Sequence, residues 1–474
     1  MCWALLALSS CSVSTERREG MTEEKGKPNQ TEKPSVTEEI VVDKIWSSVR
    51  VGFCLLTHGE RQYIAYYNSD RRMVVGMRRL GEGEFKTMIL PSESDEPPRR
   101  TKVTSTIQGW DSHNYITLTV DRHGYIHLAG NMHVDPLLYF RSEKAWDITT
   151  LKQVKSMVGD LEGRCTYPKF MEAPNGDLVF HYRDGSSGRG NEVYNVYDEK
   201  SKTWRRFLEK GLITGEGKMN AYQRGPVLGP DGRYHLLWVW RDSPDAATNH
   251  DISYARSSDL LHWENAAGEP LELPLRISSP GTIIDPIPPG GGIINTVHKF
   301  AFDSQGRVVV TYHKHDEKGD TQAYAARFEK GAWKIQAISN WKGKHVFKGG
   351  GSGPSSFGTS ISLGSILRHG KGTLALPFGH WKAGRGLLVI DEETLEPIGM
   401  ESAKKSAPRY PAHLLKVSSD FPGMKVNWRG DSGKSPDTSI YYALRWESLG
   451  TNRDRPRKEP LPENSDLVLY KIIK

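Results

Sequence analysis

From Val41 onward the chain repeats one pattern of polar and apolar positions. A turn containing Gly opens a short run of alternating or aromatic-rich residues, and a second such run follows. The turn glycines are Gly59, Gly124, Gly176, Gly232, Gly306 and Gly372, spaced by 52 to 74 residues. The runs behind them lie at 62–67, 125–130, 177–182, 234–240, 307–313 and 373–378. Several alternate with period two and are rich in β-branched and aromatic side chains, the signature of strands. Strand-and-turn units recurring at this period predict blades, so the expected fold is an all-β, seven-bladed β-propeller over residues 41–474. Six units are clear, and strand-like tails at 440–446 and 467–472 supply the seventh. The tail is expected to pair with strands near 41–51 and close the ring, leaving no open sheet edge. A pair of β-sandwiches or a β-helix accommodates the repeat less well. A WD-repeat scaffold is disfavoured, because Trp110-Asp111 and Trp146-Asp147 do not recur at unit ends.

A second signature follows the first in several units. Tyr139-Phe140-Arg141-Ser142 precedes Trp146, Tyr254-Ala255-Arg256-Ser257 precedes Trp263, and the run 194–198 precedes Trp204. These resemble degenerate Asp-boxes, the strand-turn-strand motif of sialidase-type propellers. Sialidase activity itself is disfavoured, since there is no Phe/Tyr-Arg-Ile-Pro motif near the N-terminus and no clear arginine triad.

The first forty residues differ. A short apolar run, Trp3-Ala4-Leu5-Leu6-Ala7-Leu8, leads into Leu8-Ser9-Ser10-Cys11. This resembles the lipobox of bacterial lipoproteins, although the run is short and no Lys or Arg precedes it. Cys11 is then the expected lipidated residue, with 1–11 as signal peptide. Residues 12–40 are rich in Glu, Lys, Thr, Ser and Pro and read as a flexible tether. The expected location is the cell envelope, at the outer-membrane surface or in the periplasm, with the membrane reached only through the lipid. The remaining cysteines, Cys54 and Cys165, fit no metal motif and read as buried small residues. A net charge of +7 on 474 residues is modest. Without a dense basic stripe interleaved with aromatics it does not indicate nucleic acid. An acidic partner such as a uronic acid fits it.

Polar and aromatic residues gather at strand ends, where a propeller presents its channel mouth. The clusters are Trp110-Asp111-Ser112-His113-Asn114-Tyr115, Gly130-Asn131-Met132-His133, Cys165-Thr166-Tyr167-Pro168 with His181-Tyr182-Arg183-Asp184-Gly185, Asn220-Ala221-Tyr222-Gln223-Arg224-Gly225 with Trp240-Arg241-Asp242, and Thr248-Asn249-His250-Asp251. Each alone has a structural explanation. Together, at successive blade edges, they predict one site. A metal held by His113, His133 and His181 is a rival reading, but no H-x-x-x-H spacing or carboxylate partner favours it.

In this order the clusters resemble the BNR-repeat propellers that include rhamnose–glucuronate lyases and ulvan lyases. The likeness covers most of 45–400. It is most specific in WDSHNY and GNMH, with His113 and His133 twenty apart, and in Tyr167 sixteen before Arg183. The most similar branch acts on L-rhamnose linked α-1,4 to D-glucuronate, as in arabinogalactan side chains. The resemblance implies β-elimination without a cofactor. Arg183, assisted by His133, neutralises the uronate carboxylate so that C5 can lose its proton. His113 and Tyr167 supply base and acid, in an order the sequence leaves open. Tyr222, Arg241, His250, Trp110 and Asn114 are the expected substrate contacts. Two alternatives stand beside this one. Related propellers are described as α-L-rhamnosidases with a single His on the opposite face, and Leu56-Thr57-His58-Gly59 resembles its setting. A non-catalytic sugar-binding surface lipoprotein is the other.

Overall fold

The computed structural model describes residues 34–91, 104–107, 109–350, 355–357, 360–402, 409–433, 437 and 439–473. Among them the strands form seven sheets of four to six strands and one two-stranded ribbon. Within the sheets, sequential strands pair antiparallel, as short turns require. The opening strands of neighbouring sheets pack side by side. Cys54–His58 touches Ile116–Val120, which touches Cys165–Glu172. Cys54–His58 also touches Met424–Gly430 from the last sheet, so first and last blades meet. This is the predicted propeller, an all-β ring of radial sheets.

The predicted units fall where the blades are. The second strands are Arg61–Tyr67, Ile126–Gly130, Leu178–Ser186, Tyr234–Arg241, Val308–His315 and Thr373–His380. All six turn glycines have positive φ, from 59° at Gly59 to 87° at Gly124. A side chain is disfavoured in that region, which is why the repeat is marked by Gly. Blade cores are packed by the aromatic and β-branched positions. In blade 2, buried His127 lies between Tyr139 (2.7 Å) and Asp121 (3.3 Å), and Trp204 donates to the Tyr139 hydroxyl (3.1 Å). Blade 4 repeats the device with His235, Tyr254 and Asp231. Cys54 and Cys165 are buried and unbridged.

The ring closes as expected, with one change of boundary. Ser35–Ile45 pairs antiparallel with Ser465–Ile473 as the outermost strand of the last blade. The strand therefore begins inside the segment read as tether. Its exposure alternates along Ser35-Val36-Thr37-Glu38-Glu39-Ile40, as an edge strand with one covered face needs few apolar residues. Glu38 has a structural task there. Its carboxylate accepts two bonds (3.0 and 2.9 Å) from Arg78 of blade 1, whose side chain is wholly buried. Cys11 and residues 12–33 lie outside the described residues.

Candidate active site

The site is built where strands depart from regular pairing. The register between Cys165–Glu172 and Leu178–Ser186 slips between Thr166 and Lys169. Tyr167 occupies this bulge with φ of 60° and is followed by Pro168, which cannot donate to the ladder. The bulge re-aims the tyrosine. His133 comes from the connection leaving Ile126–Gly130, which has positive φ at Asn131 and Val134. That connection is pinned at both ends. The Asn131 amide donates to the carbonyls of Thr104 (2.7 Å) and Thr106 (3.0 Å), and the Val134 N–H donates to the Thr166 hydroxyl (2.8 Å). His113 precedes the opening strand of blade 2, in a turn where its own N–H donates to Asp111 Oδ1 (2.8 Å). Arg183 lies on the second strand of blade 3. A Cβ at Gly190 would sit 2.9 Å from the Arg183 Cδ, so the facing strand needs glycine to admit the side chain.

These departures bring the predicted groups together. The His113 and His133 rings are 4.2 Å apart, and Tyr167 is 6.0 Å from His113 and 6.4 Å from His133. The Arg183 guanidinium lies 4.9 Å from the Tyr167 ring centre. A cavity of about 800 Å³ opens here, lined among others by Trp110, Asn114, His133, Arg183, Ser187 and Asp454. Asn114 is buried, and its side-chain carbonyl has no partner among the described residues. Arg183 is 2% exposed, yet its Nε and Nη1 have no hydrogen-bond partner among the described residues. A buried guanidinium with no counter-charge among the described residues is costly, and this one stands in the wall of a cavity of ligand size.

Asp111 organises both imidazoles. Its Oδ1 accepts from His113 Nδ1 (2.7 Å), and its Oδ2 is in close contact with His133 Nδ1. Asp454 Oδ2 lies 3.5 Å from His113 Nδ1. Burial opposes a charge on His113, but the hydrogen bonds to Asp111 and Asp454 outweigh it and push the pKa up to about 10. His113 is therefore an imidazolium at neutral pH. Burial would raise Asp111, but its bonds to the two histidines hold it well below the carboxylate range. The two phenols diverge. Burial and the neighbouring Tyr222 push Tyr167 up to about 12 against the pull of Arg183 and Arg241. For Tyr222 burial also acts upward, but Arg241, Arg183 and the Ser187 hydroxyl (2.8 Å) bring it below the usual value.

Several expected contacts lie elsewhere. Arg241 is buried behind Tyr222 and donates to the Ser243 carbonyl (2.9 Å) and to that of Pro244, so it acts on Tyr222 and not on a sugar. His250 is 7% exposed, with its ring nitrogens 2.9 Å from Asp242 and from Asp251, which leaves no nitrogen for substrate. His181 is held by Glu192 (2.6 Å) and Gln223 (2.8 Å), away from the other two histidines of the metal reading. The expectation that no carboxylate partners those histidines is also corrected. Ligating atoms of Asp111, His113, His133 and Asp454 lie within 4.8 Å of one another, the composition of a small cation site. Here the Asp111 carboxylate takes both Nδ1 atoms, as in carboxylate–imidazole pairing. His58 ends the Cys54–His58 strand and packs 5.5 Å from Trp146, beside the Gly124 turn. The start of that strand abuts Tyr115, so His58 and His113 belong to opposite ends of the blades.

Two residues that contact the site histidines escaped the sequence reading. Asp111 sits in a legible D-x-H turn but was not singled out. Asp454 comes from a Pro- and Arg-rich connection with no periodicity.

The model of the BNR repeat-containing family matches residues 61–341. The ulvan lyase long isoform of Pseudoalteromonas sp. (strain PLSV) is 24% identical over 287 residues, covering 50% of this chain and 28% of that protein. The short isoform of Alteromonas sp. (strain LOR) is 29% identical over 167 residues, 30% of each chain. The chain thus spans less than a third of the length of these two relatives. Among solved structures, polysaccharide lyase Uly1 superposes with a TM-score of 0.53 at 14% identity, covering 92% of this chain and 99% of that one. A PL25 ulvan lyase bound to -[GlcA(1-4)Rha3S]- gives 0.50 at 12%, covering 88% and 94%.

Proposed function

We propose that this chain, which belongs to the BNR repeat-containing family, is a polysaccharide lyase that eliminates L-rhamnose from C4 of D-glucuronate in arabinogalactan-type glycans, the O4 oxygen leaving with the rhamnose. The observation that carries the reading is the buried guanidinium of Arg183 in the cavity wall, whose Nε and Nη1 have no partner among the described residues. A uronate carboxylate completes it. The pairing supplies the missing counter-charge and neutralises the carboxylate, so that the C5 proton becomes removable. The His113 imidazolium adds a second cation where the enolate develops.

The same charge state removes His113 as the base. The two phenols then divide the proton transfers. Tyr222, whose ionised form is favoured by Arg241, Arg183 and Ser187, takes the C5 proton. Tyr167, held neutral, donates to the departing O4. Hydrolysis by a carboxylate pair fits less well. The cavity acids Asp111, Asp135, Asp242 and Asp454 are each engaged, with the rings of His113 and His133, with the His133 N–H, with His250, and with Ser112. A glycosidase needs one carboxyl group to donate and another free to attack or activate water.

Arg164, Arg189 and Lys218 also line the cavity and are exposed, which supports an anionic glycan as ligand. For location we retain the envelope lipoprotein, anchored at Cys11. The deciding experiment is the product from a rhamnosyl-α-1,4-glucuronate. Elimination yields free rhamnose and an unsaturated uronate with ultraviolet absorbance. Rhamnose without that absorbance would mean hydrolysis, and no product with measurable affinity would mean a binding protein.

A further inference from the structure

Four cations stand on the strands that face the propeller axis. Lys169 belongs to Cys165–Glu172 of blade 3, Arg224 to Asn220–Leu228 of blade 4, Lys299 to Lys299–Phe302 of the fifth blade and Arg429 to Met424–Gly430 of the last. Three of these strands are terminal in their sheets, and in blade 3 the short strand His133–Asp135 covers only Cys165 and Thr166. Water reaches Lys169, Arg224 and Arg429 freely and Lys299 in part. Yet burial lowers the pKa of Lys169 and of Arg224, and burial with the Arg224 charge lowers that of Lys299. Groups that meet water while surrounded by protein line an internal channel and not an outer face. The four lie at similar depth. Lys169 is level with His181, which is bonded to Gln223, the neighbour of Arg224 (2.8 Å). Burial pushes the Cys54 thiol and the Tyr115 phenol up, and the Arg429 charge pulls both down, so its guanidinium stands against the opening strands of blades 1 and 2. The Tyr115 hydroxyl in turn donates to the carbonyl of Pro168 (3.0 Å), next to Lys169.

No carboxylate neutralises this group. Among the described residues Arg224 donates to the Thr296 carbonyl (3.1 Å), and none of the four cations is in an ion pair. Asp431, two residues beyond Arg429, is taken by the N–H (2.8 Å) and hydroxyl of Thr57 and by the Gly433 N–H (2.9 Å). His298 is wholly buried close to the Tyr222 carbonyl, with neither ring nitrogen in a hydrogen bond among the described residues. Burial, Arg224 and Lys299 push its pKa down to about 3, so it stays neutral and adds no fifth charge. Like charges gathered inside a protein repel and are poorly solvated, and a counter-ion removes both costs. We propose that the channel beneath the active site is a second ligand site, holding one small inorganic oxyanion of the phosphate or sulfate class between Lys169, Arg224, Lys299 and Arg429. The sign of the charge opposes a metal ion, and a multivalent oxyanion offers an oxygen toward each of the blades that supply a donor. Such an ion ties blades 3, 4 and 5 to the last blade across the axis. None of the four cations lines the active-site cavity, so the site does not rest on the lyase reading.

The test is equilibrium dialysis of the full chain against radiolabelled inorganic phosphate in a chloride buffer of matched ionic strength. One phosphate should bind per chain. Arg224→Gln and Lys299→Gln each keep a polar side chain but lose a charge, and each should weaken binding about tenfold or more, the loss of one charge-assisted hydrogen bond. Two variants are used so that the result does not hang on one of them folding. Arg183→Met should bind phosphate as the parent does, and glucuronate should not displace it, because both act on the active-site cavity. Melting gives an independent readout. Without phosphate the two Gln variants should melt above the parent, since repulsion is relieved, and saturating phosphate should reverse the order. No saturable phosphate binding, equal affinity in the parent and both Gln variants, loss of phosphate in Arg183→Met, or the same melting order in both buffers overturns the proposal. Phosphate bound as expected by a chain without lyase activity supports the channel site and removes the function proposed above.

Discussion

Replacing Arg183 with Met should stabilise the fold while abolishing elimination. Arg183 is 2% exposed, and two of its donors, Nε and Nη1, have no acceptor among the described residues. Each buried unsatisfied donor costs roughly 1–3 kcal/mol. Met retains most of the aliphatic length and its packing. It forfeits the stacking of the guanidinium on Tyr167, worth about 1–2 kcal/mol at a desolvated site. The balance favours the variant by about 2 kcal/mol, or a Tm increase of about 2 °C for a domain of this size. Catalysis should move the other way. Loss of a preorganised charge at a developing oxyanion typically costs about 3–4 kcal/mol, a fall of 10²–10³ in kcat. A third readout joins the two. A uronate ligand should raise the Tm of the parent protein, by about 2.7 kcal/mol of stabilisation at one hundred times its Kd, and leave Arg183→Met unmoved. Differential scanning calorimetry with and without glucuronate, beside ultraviolet detection of the unsaturated product, measures all three. A variant that unfolds at lower temperature would show that Arg183 is paired in the native protein, and the argument for a carboxylate site would fail.

Tyr167→Phe keeps the ring but removes the proton donor, so kcat should drop about 10²–10⁴-fold with little change in KM. The defect should shrink on a 4-O-aryl glucuronate, whose leaving group needs no proton; an equal defect on both substrates refutes the acid role. His58→Gln should leave elimination intact, because the residue packs on Trp146 at the other end of the blades; loss of activity in a folded variant contradicts the site. Cys11→Ala should release the protein from the membrane fraction, and unchanged partitioning on fractionation argues against the lipid anchor.

The ring was legible because its markers are local. A glycine at positive φ in each turn and an alternating run behind it report on a few neighbouring residues, and all six predicted turns fall on blade hairpins. The start of the ring was not legible. Composition marks 12–40 as unable to form a core, but Ser35–Ile45 is an edge strand that borrows its stability from Ser465–Ile473 and from Arg78. Segments that fold onto an existing sheet do not need the apolar content that composition measures.

At the site, residue types were legible and partnerships were not. His113, His133, Tyr167 and Arg183 stand at strand ends, and the blade repeat alone carries strand ends to one mouth. Their chemistry depends on what they touch. A sequence reading assigns His113 the pKa of a free imidazole and allows it to be a base. The carboxylates of Asp111 and Asp454 reverse that, one of them 341 positions away along the chain. The same holds for Arg241 and His250, which were chosen as polar residues near the mouth. Arg241 lies against Tyr222 and lowers its pKa, and His250 is occupied by Asp242 and Asp251. A propeller sharpens this division between the legible and the hidden. Its blades are local in sequence, but its axis is shared by all of them, so groups on the axis meet neighbours from any blade. The proton inventory of such a site is therefore set by ring closure. In this chain closure delivers Asp454, which joins Asp111 in favouring the charged form of His113.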